Sequence, residues 1–234
     1  MTLDATTPPV HAAAPDTVRY DMYADIHKAM RALMCDTLAR LGSLDARDAL
    51  EGAAVLGQVR ELLDMCRAHL EHENAFVHAA MEARCPGSSA GTRGDHADHE
   101  EAIRRLEETL EEAAGTGREA VLGRLYRDLA VFVGENLVHM AEEERGNNAV
   151  LWRHYSDAEL LAVEQALVAS TGPAEQRLVL SWMLPALNPG ERAAKLAGIR
   201  AGAPEPVYRQ VLDVARTRLS GAGWNRLQAD LQAL

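Results

Sequence analysis

Aromatic side chains supply only 4% of the 234 residues, although 47% are hydrophobic. Ala, Leu, Val and Met must therefore fill the core, and those residues suit helix packing better than sheets, which draw on aromatic and β-branched residues. Cysteine is scarce as well. Cys35, Cys66 and Cys85 are odd in number and form no close pair, which excludes a disulfide framework. Cys35 and Cys66 fall on apolar helical stripes and read as small core residues in a reducing compartment. Basic residues are outnumbered, 24 Lys plus Arg against 35 Asp plus Glu, for a net charge of −11. Such a chain repels phosphate backbones and anionic lipid, which argues against nucleic-acid and membrane partners. No run reaches the roughly 18 apolar residues that a membrane span needs. Asp4 comes early, and neither a basic nor an apolar leader segment accompanies it, so no secretory signal is expected and the location reads as cytoplasmic.

What is present is helical periodicity. Residues 1–17, with Pro8, Pro9 and Pro15, read as a flexible leader. Four long helical patterns come next, near 18–41, 44–84, 95–114 and 118–146. Ser43 stands as an N-cap for the second, and loops lie at 85–91 and at Gly115-Thr116-Gly117. Long helices on short loops predict an all-α, antiparallel up-down four-helix bundle over 18–155. Beyond Gly146-Asn147-Asn148 the units shorten. Ser156 and Glu159 form a capping box, and further helices are expected near 174–187, 190–200, 205–219 and 222–233. Residues 156–234 thus form a C-terminal helical extension, read as a cap on the bundle or as a homo-oligomer contact. No fixed-period repeat and no strand is expected.

Each of the four long helices carries one histidine on its apolar stripe. His27 lies among Tyr20, Tyr23, Met30, Met34, Leu38 and Leu41, and His69 follows Leu62 and Cys66. His99 leads Ile103, Leu106 and Leu110, and His139 follows Leu125, Leu129 and Phe132. His69 and His139 have a glutamate four residues on, Glu73 and Glu143, so that imidazole and carboxylate share a face. His78–Glu82 has the same spacing. However, His78 stands nine residues past His69, about 180° round the helix, and reads as exposed. His96 sits about 60° from His99 at the edge of the stripe and is a further candidate ligand. Two carboxylates inside a bundle are costly without cations, and no inward Lys or Arg accompanies them. A pair of metal ions supplies the missing charge.

These segments resemble the hemerythrin HHE cation-binding family across roughly residues 20–155. The resemblance rests on Asp25-Ile26-His27, on His69-Leu70-Glu71-His72-Glu73, on Asp98-His99-Glu100-Glu101, and on His139-Met140-Ala141-Glu142-Glu143. It implies a non-haem site of two iron ions joined by an oxo or hydroxo bridge. The implied ligands are His27, His69, His99 and His139, with Glu73 and Glu143 shared between the irons. Oxygen-carrying members have another histidine four residues before the one matching His99. Asp95 stands there in this chain, and His96 is one place out of register.

The implied function is binding of, or reaction with, O2 or a related small oxidant, in oxygen, redox or iron sensing or handling. The alternative is a di-iron enzyme, peroxidase-like or donating iron for iron–sulfur cluster repair. The absence of cysteine from residues 1–17 argues against the repair form. A metal-free helical interaction protein is the third reading. Zinc suits such a shared site less well than iron, and manganese remains open. Met30, Met34, Leu62, Phe76 and Phe132 are candidates to line the pocket, and Tyr20 and Tyr23 to serve as inward proton donors.

Overall fold

The computed structural model describes residues 19–113 and 118–233, and all regular structure among them is helical. The leader expected over 1–17 and the loop expected at Gly115-Thr116-Gly117 lie outside the described residues. The bundle consists of α1 (Ala24–Ser43), α2 (Ala49–His72), α4 (Ala90–Ala113) and α5 (Arg118–Glu142). Each packs on two others in a closed ring, α1 on α2, α2 on α4, α4 on α5 and α5 on α1. The stripes that face inward alternate in steps of three and four. On α4 the buried line is His96, His99, Ile103, Leu106, Leu110 and Ala113, and on α5 it is Leu122, Leu125, Leu129, Phe132, Asn136 and His139.

Helix starts depend on local capping chemistry. Asp48, not Ser43, caps α2: its carboxylate accepts from the backbone N–H of Leu50 and Glu51 at 2.9 Å. Ser43 is instead the last residue of α1. Helix α4 begins at Ala90, earlier than the periodicity suggested. Its approach is tied down by the Glu82 carboxylate, which accepts from the N–H groups of Gly87 and Ser89 at 2.7 and 3.0 Å. Gly87 has φ +83°, a conformation that a Cβ would strain.

Two helices are interrupted; the first still ends at Arg84, where the sequence suggested, whereas the second runs past 146 to His154. Each passes through a single π turn, Glu73–Val77 after α2 and Glu143–Asn147 after α5. Each then continues as a short helix, α3 (His78–Arg84) and α6 (Asn148–His154). In the first turn the His78 N–H bonds to the Glu73 carbonyl, and in the second the Asn148 N–H bonds to that of Glu143. Gly146 therefore lies inside a turn rather than at a helix end. A π turn inserts one extra residue and so rotates the residues beyond it by about 100° relative to an α-helix. Tyr23, Val77, Met81, Leu151, Tyr155 and Leu160 pack together beyond these turns and close that end of the bundle.

The remaining helices are α7 (Asp157–Ser170), α8 (Pro173–Ala186), α9 (Pro189–Gly202), α10 (Glu205–Arg218) and α11 (Gly221–Ala233). The Ser156–Glu159 capping box is present and opens α7. Such a cap contributes about 1 kcal/mol. Helix α8 has two apolar faces and lies along α1. Met183 and Leu187, at and just beyond its C-terminus, join the bundle core, whereas Leu184 belongs to a second core with Leu196, Tyr208, Val211, Ala215 and Leu227. Ion pairs Lys28–Glu191 (2.6 Å) and Lys195–Asp25 (2.7 Å) flank that contact. Cys35 is exposed, contrary to its reading as a core residue, while Cys66 is buried. No described helix is long and apolar enough to cross a membrane.

Candidate metal centre

His27 lies in the first turn of α1, His69 in the last turn of α2, His96 in the first half of α4 and His139 near the end of α5. In an up-down bundle those four places are at one end, so helix direction alone gathers them. Glu73 and Glu143, the first residues of the two π turns, point between them and are almost fully buried.

Two groups form, and they share both carboxylates: His27, His69, Glu73 and Glu143, and His96, His139, Glu73 and Glu143. Each carboxylate offers a different oxygen to each group. On one side, Glu73 Oε1 is 3.3 Å from His69 Nε2 and 3.7 Å from His27 Nε2, and Glu143 Oε2 is 3.5 Å from His27 Nε2. On the other, Glu73 Oε2 is 3.4 Å from His96 Nε2, and Glu143 Oε1 is 3.5 Å from His96 Nε2 and 3.4 Å from His139 Nε2. Donor atoms about 2.1 Å from a common ion stand about 3 to 3.5 Å from each other. The spacing fits.

The polar atoms are otherwise stranded. His27 Nε2, His69 Nε2 and all four oxygens of Glu73 and Glu143 are buried with no hydrogen-bond partner. Buried polar atoms are normally satisfied, and each orphan costs about 1–3 kcal/mol. His96 Nε2 and His139 Nε2 face each other at 3.1 Å. Their Nδ1 atoms meet the acceptors Asn74 Oδ1 (2.9 Å) and Asp95 Oδ2 (3.3 Å), so both Nε2 atoms carry lone pairs in the neutral rings. Two nitrogens that close need a positive charge between them, a metal ion or, in the metal-free protein, the proton of His96, which Glu143 and Glu73 hold up at about 9 against burial.

Charge leads to the same conclusion. Burial and the facing Glu73 carboxylate push Glu143 up to about 8. Burial drives His69 down to about 4. For His27, burial is outweighed by Glu144, Glu73 and Glu143, which hold it up at about 9. Glu144 accepts from His27 Nδ1 at 3.0 Å and is itself held by Arg31 at 2.6 Å. Among the described residues no Lys or Arg pairs with Glu73 or Glu143, as the sequence suggested.

His99 belongs to neither group. It is buried, but its ring lies against those of His139 (centroids 4.9 Å apart) and Phe132 (6.0 Å), and its Nδ1 has no partner. His96 takes the place anticipated for it. The signal was present in the sequence, since one more step back along the alternating stripe of α4 runs from His99 to His96. His78 is a correction: it is fully buried rather than exposed, because the π turn rotates it inward, and its ring stacks on His96 at 4.7 Å. Tyr23 is buried beside His27 and accepts from Asn147 Nδ2 at 3.0 Å, whereas the Tyr20 hydroxyl bonds to Glu164. Met30, Met34, Leu62 and Phe132 are buried in the core, and Phe76 is half-buried.

The model of the hemerythrin HHE cation-binding domain matches residues 18–149. The chain belongs to that family. Comparison with curated proteins and with solved structures returns no match. Family membership accounts for the bundle and for two His/Glu groups in its core. Residues beyond 149, including α7 to α11, fall outside the matched hemerythrin domain.

Proposed function

We propose that this chain is a non-haem di-iron protein that binds or reacts with O2 or a related small oxidant, in oxygen, redox or iron sensing or handling. The observation that carries this reading is the convergence of six side chains from four helices, five of them buried, in which His27, His69, Glu73 and Glu143 have donor atoms without a hydrogen-bond partner. His27 and His69 would hold one ion, His96 and His139 the other, and Glu73 and Glu143 both.

A mixed set of imidazole and carboxylate donors suits iron. Zinc prefers four ligands of its own with little sharing, which this arrangement does not give. Bound iron would supply electrons and coordination positions for a small oxidant. The protein supplies the rest. The core residues Met30, Met34, Leu62 and Phe132 exclude water around the site. Of the four histidines, His69 is the most open, with 12% of its side chain exposed, so only a small molecule has access. Glu144 and Asp95 fix the rings of His27 and His139 from behind. Residues 18–155 form the metal-binding unit in this reading, and residues 156–234 cap it. Free cysteines suit a reducing compartment such as the cytoplasm.

Iron-loaded protein, reduced without air and then exposed to O2, should show a change in its near-ultraviolet and visible spectrum that is lost in a His69→Ala, His139→Ala double variant. An iron-loaded protein whose spectrum ignores O2 would overturn the oxidant part of the proposal. Rapid multiple turnover of peroxide with an electron donor would move the reading to an enzyme.

A further inference from the structure

The π turn that delivers Glu73 also turns two other side chains toward the second ion position. Asn74, the next residue, places its carboxamide oxygen 2.9 Å from His96 Nδ1 and 3.0 Å from His78 Nδ1. His78 is fully buried, yet it belongs to neither group of candidate ligands. Its ring lies over that of His96, 4.7 Å away and inclined by 21°. On its far side His78 Nε2 is 3.1 Å from Thr92 Oγ1.

With the carboxamide oxygen of Asn74 facing both rings, the protons of the two histidines are set. A carboxamide oxygen has two lone pairs and can accept two hydrogen bonds. Both histidines then carry their proton on Nδ1 and donate it to Asn74. His78 Nε2 is left as an acceptor, and the Thr92 hydroxyl, which also lies 3.3 Å from the Ser89 carbonyl, turns its proton to the closer His78 Nε2. His96 Nε2 is left bare, facing Glu73 Oε2 and Glu143 Oε1.

We infer that Asn74 is a positioning residue for the second metal ion: by accepting Nδ1–H from His96 and from the stacked His78, it fixes the ring and tautomer of His96 so that only Nε2 can ligate. The inference rests on the two-metal reading of the site. The same device takes different forms elsewhere in the site. His27 is backed by the Glu144 carboxylate under Arg31, and His139 by Asp95. Asn74 alone is neutral and shared between two rings. His78 and Thr92 thereby gain a role as the scaffold that holds the amide still.

The test is anaerobic titration of the metal-free full-length chain with Fe²⁺, monitored by calorimetry, for the wild type, Asn74→Leu and Asn74→Asp. Wild type should take up two ions. Asn74→Leu should weaken one of the two steps by about 10–100-fold, the usual effect of losing a partner behind a ligand, and leave the other nearly unchanged. Asn74→Asp keeps the acceptor and adds a charge, which makes His96 more basic, so it should tighten that same step more than the other. A general loss of structure would weaken both steps and would not be reversed by aspartate. Equal weakening of both steps, no weakening by leucine, or weakening by aspartate would overturn the role of Asn74 while leaving the site intact. Should the leucine variant fail to fold, the aspartate variant decides, and an unchanged isotherm there counts against the inference. A wild-type chain that takes up no iron instead removes the metal reading beneath it.

Discussion

Replacing one facing carboxylate, as Glu143→Gln or Glu73→Gln, should cost the protein both metal ions, whereas replacing one histidine should cost it one. Each glutamate presents one oxygen to the His27–His69 group and the other to the His96–His139 group. Removing its charge therefore weakens both sites at once and leaves each with a single anionic donor. Loss of a residue behind a ligand typically costs about 10–100-fold in affinity, and loss of the ligand itself costs more. His96→Ala should leave about one ion per chain, held by His27 and His69. His99→Ala should leave two, because His99 lies against His139 and Phe132 and in neither group. Metal analysis of the purified variants measures this directly. Two ions in His96→Ala together with loss in His99→Ala would return the site to the ligand set implied by the family resemblance.

The same Glu143→Gln change should make the metal-free protein more stable. Without metal ions, two buried carboxylates share a space with no Lys or Arg, and only the protonated rings of His27 and His96, both held up at about 9, offset them. Burial and Glu73 raise Glu143 from 4.5 to about 8. A carboxyl raised on folding destabilises the native state at any pH above its unfolded value. The penalty grows with pH up to the folded value and vanishes below about 4.5. At pH 7 it amounts to about 2–4 kcal/mol, taking roughly 1.36 kcal/mol for each pH unit above the unfolded value. Glu143→Gln removes it, so the metal-free variant should melt several degrees higher than metal-free wild type at pH 7. The two should converge as the pH falls toward 4.5. With iron present the order should reverse, because only wild type gains from the ligand. Thermal melts with and without metal at several pH values test this. A variant less stable than wild type in the metal-free form would mean that Glu143 holds the fold rather than an ion. Stability given up locally in this way is the usual mark of a functional site.

Most of the bundle was readable because it depends on periodicity alone. The apolar stripes around His27, His69 and His139 set the inward faces, and Ser156 with Glu159 marked the start of α7 correctly. The π turns were not readable. Nothing in Glu73-Asn74-Ala75-Phe76-Val77 or in Glu143-Glu144-Arg145-Gly146-Asn147 distinguishes them from α-helix by propensity, since the extra residue is accommodated by packing around the site. The misreadings at those turns have that cause. His78 was placed on the outer face by counting 100° per residue through a turn where the count fails, and the second turn hid the continuation of α5 into α6. The stripe on α4 was legible but was begun one step late, at His99 instead of His96. Asp48 was passed over as the cap of α2 because Ser43 comes after a glycine and looked like the boundary. The packing of α8 along α1 could not be foreseen, because the two apolar faces of α8 match two different cores.

The central claim is that six side chains from four helices enclose two metal ions. An anomalous difference map from crystals of the iron-loaded protein, collected at the iron absorption edge, addresses it most directly. Two peaks are expected roughly 3.5–4 Å apart, the separation common in two-metal sites. One should lie between His27 and His69 and the other between His96 and His139, with Glu73 and Glu143 reaching both. No peak at that end of the bundle, or a single ion bound outside these six residues, would contradict the account.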